Sequence, residues 1–246
     1  MKAMIFAAGL GTRLMPLTSD KPKAMVSING TPLIELIIRK MIANGVTGIV
    51  INVHHFADQV IDFLAVKENF GIDIAISDER RLLLNTGGGL KKAAPFFSDG
   101  KPFLVHNTDI ISDLDFKKLY DFHLKNGALA TLAVRHRPTS RYLLFDKKNC
   151  LRGWENIKTG EKIIKDRRFK HLRQLSFSGI HIINADIFNL MPNDDVFSII
   201  SVYLDAMQKN NIIGYQHDDD FWLDVGKKES LTRAADFLQK NEQHYK

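Results

Sequence analysis

Cysteine is almost absent: Cys150 is the single one in 246 residues. An intrachain disulfide and a cysteine-built metal cluster are therefore excluded, which fits a reducing compartment. Long apolar runs are missing too. Charged residues interrupt every hydrophobic stretch before the roughly 18 residues that a membrane-spanning helix needs. The stretch Met4-Ile5-Phe6-Ala7-Ala8 is too short for a signal-peptide core and runs straight into Gly9 and Arg13. The expectation is a cytoplasmic protein without a membrane partner. No internal repeat, low-complexity tract or linker interrupts the chain. With 45% hydrophobic residues and only 7 prolines, it is neither disordered nor collagen-like. What remains is a globular chain of one sizeable domain or two small ones.

Lys and Arg number 34 against 28 Asp and Glu, a formal charge of +6, and the isoelectric point is near 9.3. Such an excess attracts phosphates of any kind. Nucleic acid is not the expected partner, because basic residues interleaved with aromatics and recognised modules are both lacking. The densest basic run, Lys165 to Arg173, reads as a solvated loop rather than a functional patch. A small phosphorylated ligand suits this balance.

Short apolar runs alternate with helical periods through the first half, the pattern of βα units on a parallel sheet. Lys2 to Ala7 reads as a strand. Thr31-Pro32 supplies an N-cap and first-turn proline for a helix that carries Leu33, Ile37, Ile38, Met41 and Ile42 on one face and ends at Gly45. Strands follow at Gly48 to Val53, Ile72 to Ile76 and Pro102 to His106. Helices are expected over Phe56 to Val66, Lys91 to Phe96 and Asp115 to Asn126, the last capped by Asp113 or Asp115. The second half is less regular, with strands at Ala128 to Arg135, Tyr142 to Phe145, Leu175 to Ile183, Ile212 to Tyr215 and Phe221 to Val225. Residues 150–174 read as loop-rich, Val196 to Gln208 as a helix, and a final amphipathic helix starts near Lys227. The best partition is one α/β domain with an inserted lobe and a boundary near Pro138.

The strongest local signal is Ala7-Ala8-Gly9-Leu10-Gly11-Thr12-Arg13-Leu14 directly after the first strand. Glycines at a strand's carboxyl end let backbone N–H groups approach a phosphate, since no Cβ intervenes. The dinucleotide fingerprint fails, because Leu14 stands where its third glycine belongs and Val53-His54-His55 offers no acid for a ribose. The P-loop fails as well, for no Gly-Lys-Ser/Thr closes the turn. Arg13 and Lys23 are placed to reach a triphosphate over the glycines, the first by a bidentate fork and the second as a point charge. Asp109 follows a buried strand and so belongs on the carboxyl edge of the sheet, where ligands of open α/β folds bind; Asp224 ends another. Either one, taken alone, reads better as a cap or turn residue; together with the glycine loop the functional reading wins.

The glycine loop continued through Met15-Pro16-Leu17-Thr18, followed by Lys21-Pro22-Lys23-Ala24-Met25, resembles the signature of the sugar-1-phosphate nucleotidyltransferases. Asn85-Thr86-Gly87-Gly88-Gly89, Asn107-Thr108-Asp109, Phe177-Ser178-Gly179-Ile180 and Trp222-Leu223-Asp224-Val225-Gly226 agree in order, and the triple glycine looks most like the bacterial N-acetylmuramate 1-phosphate uridylyltransferases. The resemblance implies a Rossmann-like three-layer α/β/α sandwich with a mostly parallel central sheet and a small inserted β-rich lobe. It also implies one domain: a nucleotide-binding half over residues 1–135, a sugar-phosphate-binding half over 136–226, and a C-terminal helix and tail over 227–246. The implied reaction joins a sugar 1-phosphate to a nucleoside triphosphate, with Mg²⁺ as cofactor, in a monomer or homodimer that serves the cell wall. Arg13, Lys23 and Asp109 are the implied catalytic residues. Ala7, Ala8, Gly9, Gly11, Thr12, Thr86, Gly87, Gly88 and Asn107 join Arg13 and Lys23 around the nucleotide. Glu155, Ser178 and Gly179 face the sugar, and Asp109 with Asp224 holds the metal.

The sugar-facing half departs most from the family pattern. Leu143 follows Tyr142 where many members have glycine, and Trp154-Glu155-Asn156 stands where a Glu-Lys-Pro stretch is usual, so Glu155 reads as a ligand of sugar hydroxyls or as a surface acid. Adjacent His54 and His55 point to opposite sides of a strand end and make no metal pair. Asp113-Leu114-Asp115 matches the Asp-x-Asp of metal-dependent glycosyltransferases, although capping of the next helix suits it better. The alternatives left open are mannose 1-phosphate guanylyltransferase specificity, a metal-dependent glycosyltransferase and a non-catalytic nucleotide-sugar sensor.

Overall fold

The computed structural model describes residues 1–165, 168–169 and 171–241. From the N-terminus its elements are β1 (Lys2–Phe6), β2 (Ser27–Ile28), β3 (Thr31–Pro32), α1 (Leu33–Ala43), β4 (Gly48–Val53), α2 (Ala57–Val66), β5 (Asp73–Asp78), α3 (Asn85–Lys92), β6 (Phe103–Asn107), β7 (Ile110–Ser112) and α4 (Phe116–Asn126). The second half adds β8 (Ala130–Arg135), β9 (Arg141–Phe145), β10 (Leu151–Asn156), β11 (Glu161–Ile164), β12 (Arg173–Ile183), α5 (Ile199–Ala206), β13 (Ile212–Gln216), β14 (Trp222–Asp224) and α6 (Lys228–Lys240). No helix among the described residues is long and apolar enough to cross a membrane.

One mixed sheet runs in the order β11-β10-β9-β12-β6-β1-β4-β5, and β8 and β13 extend it from β12. Strands β6, β1, β4 and β5 are parallel to one another. Burial of β6, β1 and β4 on both faces explains why these read as near-continuous apolar runs, while β5 at the edge is half-exposed. Side chains alternate across β1: Ala3 and Ile5 pack with Ile34, Ile38 and Ile51, while Met4 joins Leu90, Phe97 and Tyr203 on the other face. The expected α/β/α layering follows directly, since each face of the sheet is covered by helices. Strand β12 runs antiparallel to β6, β8 and β9 and so joins the two halves. Its pairing with β8 is irregular between Phe177 and His181, and Gly179 takes a φ of 75° inside that bulge. An added residue of this kind re-aims the strand locally.

Four expectations change. Residues 150–174 contain the β10–β11 hairpin, antiparallel with β9; the strand was hidden because β10 alternates inward Leu151, Gly153 and Glu155 with half-exposed Arg152, Trp154 and Asn156. Thr31 does not cap α1, because Thr31–Pro32 pairs with Ser27–Ile28 as a short antiparallel ladder and no side chain caps the helix. Helix α3 starts at Asn85 rather than Lys91 and takes in all three glycines, followed by a 3₁₀ turn over Ala94–Phe97. Helix α5 begins only at Ile199, after Ser198, whose Oγ accepts from Ile200 N at 3.2 Å. Of the two acids proposed to cap α4, Asp115 does so, accepting from Lys118 N at 3.0 Å. Within the basic run, Asp166, Arg167 and Lys170 lie outside the described residues.

Candidate active site

The register of the parallel strands sets Asn52 and Asn107 on either side of Phe6, at the carboxyl edge of the sheet. Beyond this edge lies a cavity of about 520 Å³ whose wall includes Ala7, Ala8, Gly9, Lys23, Thr86, Asn107 and Asp109. Seven of the residues expected at the site thus surround one space. The glycine loop forms its rim. Gly11 has a φ of 67°, and a Cβ there would lie 3.0 Å from Thr18 Cγ2 and 3.1 Å from Lys23 Cβ, so the loop can close over Lys23 only at a glycine. The chain then enters a 3₁₀ turn over Thr12–Leu14. Leu14, 1% exposed, is anchored among Val26, Leu33, Leu223 and Val225, which leaves the neighbouring Arg13 side chain facing out, 59% exposed.

Arg13 stands between the two carboxylates expected to hold a metal, with Nη2 4.0 Å from Asp109 Oδ2 and Nη1 4.0 Å from Asp224 Oδ2. Lys23 Nζ pairs with Asp109 Oδ2. Sequence separation between Asp109 and Asp224 is closed by a two-stranded ribbon in which Asp224 lies opposite Ile110 and Val225 N donates to Asp109 O at 2.9 Å. Asp224 Oδ1 is fixed by Gly226 N at 2.7 Å. Two acids and two bases therefore share one corner of the cavity mouth.

Residues 2–241 match the nucleotidyl transferase family model. The chain belongs to the nucleotidyl transferase family. It is 47% identical over 240 residues to the N-acetylmuramate α-1-phosphate uridylyltransferase of Caulobacter vibrioides, covering 94% of each chain. It is 32% identical over 240 residues to that of Neisseria meningitidis serogroup B, covering 95% of this chain and 96% of the relative. Among solved structures, HddC from Yersinia pseudotuberculosis superposes with a TM-score of 0.76 at 24% identity, over 96% of this chain and 99% of that one; at this identity the likeness speaks for the fold.

The cavity also contains two residues that no motif in the sequence marks, Asn52 and Glu79. Asn52 Oδ1 accepts from Ala7 N at 2.7 Å and from Ala8 N at 3.3 Å, while its Nδ2 donates to Glu79 Oε1 at 2.7 Å. Glu79 Oε2 in turn accepts from Leu84 N at 3.1 Å. This buried chain ties the glycine loop to the segment before α3, and it spends the amides of Ala7 and Ala8 on the protein itself. Gly9, with nothing within 4 Å of its Cβ position, is where the loop is open to a ligand's close approach. A signal was present: Asn52 is a lone polar residue in the wholly buried β4, and buried polar groups require partners.

The remaining expected residues divide. Asn85 and Thr86 line the cavity, and Thr86 Oγ1 also accepts from Ile199 N at 3.0 Å. Gly87 and Gly88 do not line it; both amides donate to Phe197 O. Gly179 approaches Asn107 so closely that a Cβ would meet Asn107 Nδ2 at 2.8 Å. Ser178 is turned away, its Oγ 2.7 Å from His217 Nε2. Glu155 sits in the hairpin lobe, bound by Lys162 Nζ at 2.9 Å and by Gln174 Nε2. His54 Nδ1 lies 2.7 Å from Glu79 O and His55 packs on Phe56, so neither contributes a metal pair. Behind the ribbon, burial lowers Lys40 to about 7 against the opposing pull of Asp113, Asp220 and Asp115, and Lys40 Nζ donates to Ser112 O at the end of β7.

Among the described residues no group of three or more His, Cys, Asp or Glu side chains gathers to hold a metal. The pair Asp109 and Asp224 fits a hard divalent cation of another kind: Mg²⁺ takes one or two carboxylates and completes its shell with water and substrate phosphate oxygens.

Proposed function

We propose that this chain is a uridylyltransferase that joins UTP to N-acetylmuramate 1-phosphate or a related hexose 1-phosphate, giving the nucleotide-sugar and pyrophosphate. The observation that carries the reading is Arg13, held at 4.0 Å from both Asp109 and Asp224 at the mouth of the glycine-loop cavity, with Lys23 on Asp109. An oxygen of the sugar phosphate attacks the α-phosphate in line. It needs no general base, because a phosphate monoester with a second pKa of about 6 is already largely a dianion at neutral pH. What the protein supplies is alignment and charge neutralisation. Gly9 and Gly11 admit the triphosphate, Lys23 bridges its phosphates and Arg13 stabilises the leaving pyrophosphate. Asp109 and Asp224 are the residues that would hold Mg²⁺, which when bound offsets charge on the phosphates. Thr12, Thr86 and Asn107 complete the nucleotide side, with Gly87 and Gly88 packed behind it against Phe197 and Asp195, and Glu155 and Gly179 complete the sugar side.

Uridylyl specificity and the muramate sugar rest on the relatives' assignments together with the triple glycine of α3. The substrates are soluble phosphate esters, which supports a cytoplasmic enzyme of cell-wall nucleotide-sugar synthesis with no nucleic-acid or membrane partner. The test is a grid: the full chain with Mg²⁺, four nucleoside triphosphates, and the 1-phosphates of N-acetylmuramate, N-acetylglucosamine, mannose and glucose, followed by pyrophosphate release. UTP with N-acetylmuramate 1-phosphate is expected to be fastest. Fastest turnover of GTP with mannose 1-phosphate overturns the specificity, and no pyrophosphate from any pair overturns the reaction.

A further inference from the structure

Arg137, two residues past the end of β8, packs against the ribbon that carries Asp224. The Arg137 guanidinium lies 4.5 Å from the ring centroid of Trp222, the residue two before Asp224 on β14. Trp222 is itself oriented by its Nε1, which donates to Ser178 O at 2.9 Å. Arg135 approaches the same ring at 5.8 Å but is committed, its two Nη atoms donating to Asp218 O and Asp220 O at 3.2 Å. Arg137 has no such commitment. Its Nε is buried without a hydrogen-bond partner, and no carboxylate pairs with it among the described residues. Its backbone, by contrast, is held, since Ser176 Oγ donates to Arg137 O at 2.6 Å. Burial holds this guanidinium below its usual range, while the charge on Asp224 and the Tyr142 hydroxyl draw it back up, which places Arg137 in the field of both groups.

A half-buried cation without an acceptor is a standing cost to the fold, because burying charge is tolerated only when it is paired. Desolvation and a fixed stem also make a guanidinium a stronger and more selective anion receptor, since its planar fork matches the paired oxygens of a carboxylate or phosphate. Position narrows the ligand. The nucleotide cavity has Asp109 in its wall but none of Asp224, Trp222 or Arg137; Asp224 adjoins it through Arg13, 4.0 Å from Asp109 and Asp224 alike, and Trp222 and Arg137 follow on the side of Asp224. That is where the second substrate must lie if its phosphate is to meet the α-phosphate at Asp109 and Asp224. The flat Trp222 face and the Tyr142 hydroxyl suit a sugar ring beside an anion.

We propose that Arg137, stacked on Trp222 next to Asp224, binds an oxyanion of the sugar substrate, either its 1-phosphate or a carboxylate carried on the ring. This rests on the nucleotidyltransferase reading and adds a specificity-determining residue to it. Two variants test it: Arg137→Met, which keeps a stem over Trp222 without charge or fork, and Arg137→Lys, which keeps charge alone. Two acceptors separate the sources of the anion, because N-acetylmuramate 1-phosphate carries both a phosphate and a lactyl carboxylate whereas N-acetylglucosamine 1-phosphate carries only the phosphate. The expected result is a rise in KM for the sugar of about 10- to 100-fold in Arg137→Met, as for loss of a charged hydrogen bond, with KM for UTP and the melting temperature unchanged. A rise with both sugars identifies the phosphate, and a rise with N-acetylmuramate 1-phosphate alone identifies the carboxylate. Unchanged KM for both sugars, in a wild-type background that turns over, overturns the proposal and leaves the reaction standing. Binding gives a readout that does not need turnover: in a Trp154→Phe background Trp222 is the remaining tryptophan of the two, and its fluorescence is titrated with each sugar phosphate. Equal dissociation constants with and without Arg137→Met overturn the proposal even if the wild type makes no product.

Discussion

Replacing Gly88 by alanine tests whether the triple glycine serves packing or contact with the nucleotide. A Cβ on Gly88 would lie 1.9 Å from Asp195 O and 3.1 Å from Leu84 Cβ, against an ordinary contact of at least 3.4 Å. The segment around Asp195, an exposed stretch laid over the buried Gly88, must therefore retreat by more than about 1 Å, and overpacking of this kind costs about 1–3 kcal/mol. Alanine also gains about 1 kcal/mol over glycine in a helix interior. The clash wins, because the obstructing atom is backbone and that backbone is pinned by the donation of Gly87 N to Phe197 O at 2.8 Å. With the clash in the upper part of that range the net loss is about 1–2 kcal/mol, and because each kcal/mol moves the midpoint of a chain of this size by about 2–4 °C, thermal melting should drop by roughly 2–8 °C. Val196, between Asp195 and Phe197, lines the nucleotide cavity, and an ångström-scale misplacement there should lower kcat/KM for UTP by about 10- to 100-fold. Gly9→Ala is the opposite control. Nothing lies within 4 Å of its Cβ, so melting should not move while KM for UTP rises, the methyl group standing where a phosphate approaches. If Gly88→Ala melts like the wild type, or Gly9→Ala leaves KM for UTP unchanged, the division of the glycines into packing and ligand-facing sets is wrong.

Asp224→Asn keeps the acceptor for Gly226 N but removes the charge; turnover at limiting Mg²⁺ should fall by more than tenfold and recover in part at high Mg²⁺, and full turnover at limiting Mg²⁺ would refute the metal assignment. Lys40 makes stability depend on pH. Its folded pKa is about 7 against 10.5 for the free group, so between these values the unfolded chain holds a proton that the folded chain has released, and stability rises with pH by up to about 1.4 kcal/mol per unit. Urea melts of the wild type and Lys40→Met at pH 7 and pH 9 should show the wild type gaining on the variant by about 1–3 kcal/mol at the higher pH; parallel curves refute the lowered pKa of the buried Lys40.

The parallel half of the sheet was legible because strands buried on both faces leave uninterrupted apolar runs, and the helices α1, α2 and α4 were legible from their 3.6-residue period. The hairpin lobe was not, since β10 and β11 border solvent and alternate polar with apolar residues as a loop-like stretch does. Glycine misled in one place for a physical reason. Gly87-Gly88-Gly89 reads as a flexible turn by propensity, but tertiary packing overrides propensity where α3 must press against Asp195 and Phe197. At the site, Arg13, Lys23, Asp109 and Asp224 were found by motif, and their meeting could be anticipated only because strand ends converge on one sheet edge. Asn52, Glu79 and Arg137 carry no motif. What marks them is a polar or charged group in an environment that does not solvate it, which only the folded arrangement reveals.

On the proposed reading, the charges at the cavity mouth make the triphosphate and a divalent cation interdependent. Asp109 and Asp224 carry two negative charges, and Arg13 with Lys23 carries two positive ones, so the corner is close to neutral as it stands. A triphosphate alone brings an excess of negative charge next to two carboxylates, and a divalent cation alone competes with Lys23 for Asp109. Brought together they would relieve each other: the phosphates would take Lys23 and Arg13, and the freed carboxylates would hold the cation. Each ligand then raises the other's affinity by the same factor, as thermodynamic linkage requires. Because Arg13 bridges both acids and is itself 59% exposed, it is the side chain able to swing from carboxylates to phosphate at small cost, whereas Lys23, 13% exposed, exchanges partners without leaving its place under the glycine loop. On this reading it is these two balanced cations, rather than the net excess of the chain, that would receive the triphosphate, by exchanging carboxylates for phosphates.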